Sequence, residues 1–173
     1  MVLIASPLGL LSPALVLAVP LNQKSTAPNQ PPVLTAPASI NVTEDTEARV
    51  AVGVSDPDVD ADFDGMLKLT LQVHNGTVIL PTTVGLSFLV GAGGTPGAAG
   101  HSLVSFVASQ AHAQDALRAL LYRPKLHFHG TDRLNLLVND QGFTGTGGAL
   151  SLVSGYGRAR SDERQASLRT LPD

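Results

Sequence analysis

Leu67, Leu69, Leu71 and Val73 recur every second residue, with Lys68, Thr70 and Gln72 between them. Only an extended strand puts such positions on one face, because successive strand side chains point to opposite sides. The same spacing joins Ile40 to Val42, Val50 to Val52 and Val54, and Leu134 to Leu136 and Val138. Each set predicts a half-buried β-strand. Residues 86–90 and 149–153 read as further strands, and 103–107 does so by its β-branched and aromatic content. Asn75-Gly76 predicts a tight turn after the leucine run, with residues 77–80 returning as the partner strand. One stretch differs. Ala113, Ala116, Leu117 and Leu120 fall at helical spacing, which predicts one helix over 111–121, about three turns long.

Short strands need frequent punctuation, and 17 Gly and 12 Pro supply it. About seven strands with one helix favour an all-β sandwich over a doubly wound α/β sheet. The core must be aliphatic, since apolar residues make up 43% of the 173 but aromatics only 4%, with no Trp. The length fits one domain. Cysteine is absent, which excludes disulfides and thiolate metal sites.

Three regions follow. Residues 1–28 hold an apolar stretch from Met1 to Leu21 and a proline-rich polar approach. No Lys or Arg precedes Lys24, so the positive n-region of a signal peptide is missing, and Pro7, Pro13 and Pro20 interrupt the run, so it does not read as a spanning helix. It reads as an atypical signal peptide or as the last strand of a preceding repeat. Residues 22–37 read as an extended linker, and 29–154 as the β-domain. In 91–100 glycine and alanine dominate, which predicts a flexible loop. Residues 155–173 carry arginines and few apolar residues and read as a disordered tail.

The charge is concentrated. The chain has 14 acidic residues and a net charge of −3, which advertises no basic surface for nucleic acid. Eight of the acids lie between Glu44 and Asp64, opposed only by Arg49. Asp56-Pro57-Asp58 holds two carboxylates on one stiffened loop. Calcium takes six to eight oxygen ligands, and such a loop suits it. Like charges this dense repel each other, so a bound cation stabilises the fold. Asp45 and Asp60 belong to the same acidic stretch and join the candidate set. Asp60, Asp62 and Asp64 are less constrained, and Asp132 reads as a backbone cap.

Four phrases occur in order: Asn29-Gln30-Pro31-Pro32, Val42-Thr43-Glu44-Asp45-Thr46, Val54-Ser55-Asp56-Pro57-Asp58-Val59-Asp60, and Gly130-Thr131-Asp132 with Val138-Asn139-Asp140-Gln141-Gly142. Together they resemble the cadherin-like tandem repeats of large surface adhesins and related extracellular proteins. The match spans about residues 29 to 153. The resemblance implies an immunoglobulin-like sandwich, calcium at junctions between repeats, an extracellular or cell-surface location with membrane association, and a role in adhesion. It places Glu44, Asp140 and the linker residue Asn29 beside Asp56 and Asp58 as metal ligands. Local geometry resists one of these. A straight strand from 48 to 54 would hold Glu44 about 20 Å from Asp56.

The expected partners are adjacent repeats of the same or another adhesion protein, a cell-surface protein or a glycan. The alternative function is a metal-independent carbohydrate- or protein-binding sandwich. Enzymatic activity is not expected, since no nucleophile elbow, phosphate loop or aromatic-lined carboxylate cleft is present. His127 and His129 flank Phe128 at a spacing compatible with zinc, but no third ligand is evident in the sequence. Asn41-Val42-Thr43 and Asn75-Gly76-Thr77 fit the glycosylation sequon.

Overall fold

A computed structural model describes residues 27–59, 65–142, 146–156, 158–159 and 166–169. The leader reading and candidate Asp60 lie outside the described residues. The strands in chain order are β1 (Val33–Thr35), β2 (Ser39–Val42), β3 (Ala48–Arg49), β4 (Gly53–Ser55), β5 (Met66–Gln72), β6 (Gly76–Ile79), β7 (Ser87–Val90) and β8 (Leu103–Ser109). Helix α1 (Gln110–Arg118) follows, then β9 (Leu121–Pro124), β10 (Leu134–Asn139), β11 (Ser151–Tyr156), β12 (Arg158–Ala159) and β13 (Ala166–Arg169). Among the described residues the fold is all-β apart from one short helix.

The main sheet has the order β11-β10-β5-β8-β7, and its ladders are antiparallel. Its central strand β5 is the leucine run. Leu67, Leu69 and Leu71 are at most 1% exposed and face the core, while Lys68 and Gln72 face outward. Each buried leucine contributes about 1.5–3 kcal/mol relative to exposure. Smaller sheets, β1-β4, β3-β9-β6 and β12-β13-β2, complete the fold. One apolar cluster joins them: Val42, Val50, Val52, Val54, Val78, Phe106, Ala113, Leu117, Tyr122 and Leu136 all belong to it.

The helix forms within the predicted stretch but ends at Arg118, so Leu120 lies beyond it and Leu121 opens β9. Ser109 caps it, its hydroxyl accepting from the His112 amide, and Ala113, Ala116 and Leu117 bury its inner face. Its other role was not visible in the spacing. Gln114 Oε1 accepts from Val54 N at 2.7 Å and Gln110 Oε1 from Asp56 N at 2.5 Å. Four helical residues rise about 6 Å, close to the span of two strand residues. The glutamines therefore match the amides that β4 leaves unpaired by β1.

Four expectations need revision. β5 and β6 do not form a hairpin, since β5 pairs with β8 and β10 while β6 pairs with β9. The amides of His74 and Asn75 are taken by the Asp132 carboxylate, so the chain turns a corner between sheets. Gly76 is needed there for close approach: a Cβ would lie 2.4 Å from Tyr122 Cε2. The glycine-rich segment is tied down. Gly97 N donates to Glu47 Oε1 at 2.9 Å, Arg123 donates to the Ala98 carbonyl, and Arg123 also pairs with Glu47. The linker is partly structural, because Val33–Thr35 pairs with β4 and buries Leu34. In the tail, Ala166–Arg169 pairs with β2 and Arg158–Ala159 pairs with β13. Backbone pairing needs amides and carbonyls rather than an apolar pattern, and β2 offers an open edge.

Candidate functional site

Three carboxylates gather at one end of the main sheet. β4 ends at Ser55 and delivers Asp56, and β10 ends at Asn139 and delivers Asp140. Asp56 is 1% exposed, Asp58 7% and Asp140 0%. Carboxylates are rarely so buried without partners.

Their partners are mostly amides. Asp56 Oδ1 accepts from Asp58 N at 3.0 Å. Asp140 Oδ1 accepts from Gly142 N and Leu150 N, at 2.9 and 2.8 Å. The linker supplies the rest. Asn29 Nδ2 donates to Asp140 Oδ2 at 2.6 Å, and Gln30 N donates to Asp58 Oδ2 at 2.5 Å. Backbone bonds between Asn29 and Thr146, and between Thr146 and Ala27, lace the linker to the loop before β11.

Asp56 Oδ2 is buried and has no hydrogen-bond partner. Burial pushes the Asp56 carboxyl above its ordinary value, and the charges of Asp140 and Asp58 add to that rise. The Asp58 and Val59 amides act against it. An oxygen in this position suits a cation better than bare burial. The three carboxylates offer the hard oxygen donors that calcium takes, while Asn29 faces Asp140 through its amide nitrogen.

Glu44 and Asp45 do not join this group. They sit in the turn between β2 and β3, where Asp45 Oδ1 accepts from His127 N at 2.7 Å. Lys125, just before that histidine, is bonded to Asn75 at the far end of β5. The length of β5, Met66–Gln72, separates the two ends by about 20 Å. The predicted strand from 48 to 54 is split into β3 and β4, which belong to different sheets and lie between Glu44 and Asp56 in the chain. His127 is not on a strand, since it occupies a turn with φ 56°.

No family model matches the sequence. Comparison with curated proteins and with solved structures finds no similar chain either.

Asp132 caps, as its phrase predicts. Its carboxylate accepts from the amides of His74, Asn75 and Arg133 and from the Tyr122 hydroxyl at 2.9 Å. Sequence reasoning missed Gln30 and Gln110, which hold Asp58 and Asp56. Glutamine has no motif, and Gln110 is 54 positions from Asp56. The one signal was the helical register that places Gln110 and Gln114 on one face.

Proposed function

We propose that the chain is a calcium-binding extracellular structural or adhesion module, built as an immunoglobulin/cadherin-like sandwich and acting as a repeat of a larger surface protein. Asp56, Asp58, Asp140 and Asn29 are the residues that would hold the ion. Calcium would supply positive charge to buried carboxylates and tie the linker to the domain. The observation that carries this reading is the buried, unpartnered Oδ2 of Asp56. The likeness of the four ordered phrases to cadherin-like repeats supports it. Its partners would be neighbouring repeats or a cell-surface protein or glycan, and its role non-enzymatic. Among the described residues, no helix is long and apolar enough to cross a membrane.

Calorimetric titration of the full chain with calcium tests the reading. Binding that disappears in a D56N/D58N variant supports it. An unchanged heat signal in that variant, or none in the parent, removes it.

A further inference from the structure

At the end of the body away from Asp56, two turns meet. Glu44 and Asp45 belong to one, and His127 to the other. Asp45 and His127 both adopt positive φ, 58° and 56°. The bond from His127 N to Asp45 Oδ1 clasps the turns together. Asp45 Oδ2 then lies 3.4 Å from His127 Nδ1, and Glu44 Oε1 lies 4.0 Å from the same nitrogen. One ligand atom from each residue lies within 4.8 Å of the other two.

We propose that Glu44, Asp45 and His127 form a site for a zinc-class divalent cation. A tetrahedral ion with bonds near 2.1 Å sets its ligand atoms about 3.4 Å apart. The Asp45–His127 pair already has that separation, and Glu44 Oε1, at 4.0 Å from the same nitrogen, would move closer on binding. One imidazole nitrogen with two carboxylate oxygens is a borderline-metal set, whereas calcium takes oxygen alone. The ion-pair partner of both carboxylates among the described residues is His127. Neutral imidazole is the form that binds metal, and the cation then balances the two negative charges. Asp45 serves twice, since Oδ1 stays on the backbone amide and fixes the direction of Oδ2. Three protein ligands leave a fourth position for water or for a side chain of another molecule. The sequence hid this set because its members are 82 positions apart.

The site shares no residue with the Asp56 end, so the two readings stand or fall separately. The test is a calorimetric titration of the full chain with Zn²⁺ alone, run in saturating calcium. Co²⁺ serves as a probe whose visible absorption reports nitrogen and oxygen ligation. H127N keeps a residue that tolerates positive φ, and E44Q keeps every backbone contact. Each is expected to weaken zinc binding by about tenfold or more and to abolish the cobalt band. D56N/D58N is expected to leave both unchanged. Zinc affinity equal to the parent in H127N and E44Q overturns the assignment, as does affinity lost in D56N/D58N instead. If H127N melts differently from the parent, E44Q decides.

Discussion

Replacing Asp56 with Asn is expected to stabilise the protein in chelator and destabilise it, relative to the parent, in calcium. Without the ion, an ionised Asp56 keeps Oδ2 buried and unpartnered beside Asp140 and Asp58. A buried polar group left unsatisfied costs about 1–3 kcal/mol, and more when charged. Asn keeps the acceptor for Asp58 N and places an amide donor where Oδ2 stood. The gain in chelator is therefore about 1–2 kcal/mol, which is about 2–8 °C in Tm for a domain of this size. In calcium at a hundredfold excess over Kd, the parent gains about 2.7 kcal/mol and the variant little, so the order reverses by about 1 kcal/mol. The pH dependence has a fixed sign. A carboxyl whose folded pKa is raised binds its proton more tightly when folded. The penalty is absent below the ordinary Asp value of 3.8, grows as pH rises through the raised value, and is complete above it. The chelator advantage of D56N should follow that course in melts monitored by circular dichroism. A variant less stable than the parent in neutral chelator would refute the reasoning, since Asp56 would then be a structural anchor needing its charge.

Tyr122→Phe removes the hydroxyl donor to Asp132 and should cost about 1.5–3 kcal/mol in urea denaturation. Burial, then the Asp132 charge, pushes the Tyr122 pKa up, so folding stability should fall as pH rises above the ordinary value of 10.0. Y122F should flatten that fall, as read from melts in alkaline buffer. Gly76→Ala forces a Cβ against the Tyr122 ring and should cost about 1–3 kcal/mol by the same denaturation assay. Glu47→Gln weakens the tie among Arg123, Gly97 and the loop, and amide hydrogen exchange at Gly97 should quicken while that of β5 stays unchanged.

What the sequence disclosed was local. The leucine period in β5 and the alanine-leucine spacing of α1 each reflect side chains two to four residues apart, so they survive any tertiary arrangement. Strand partners do not. Asn75-Gly76 has the composition of a hairpin turn, yet Asp132, 57 positions away, takes the Asn75 amide and sends the chain into another sheet. The site divides in the same way. Asp56-Pro57-Asp58 is a contiguous loop and was legible as oxygen-rich. Asn29 and Asp140, 111 positions apart, entered through the resemblance, and their side chains meet. Glu44 entered by the same route, but it sits at the other end, with β3 and β4 between it and Asp56 in the chain. The glycine-rich loop was misread because Glu47 and Arg123 reach it from outside the stretch.

The two glutamines of α1 have a consequence for how this body meets other chains. An unpaired strand border invites foreign backbone, and it is a common starting point for aggregation. On β4 that border is filled by two amide oxygens carried on a helix. A visiting strand would have to pry α1 away before it could zip on, which closes one flank to runaway stacking.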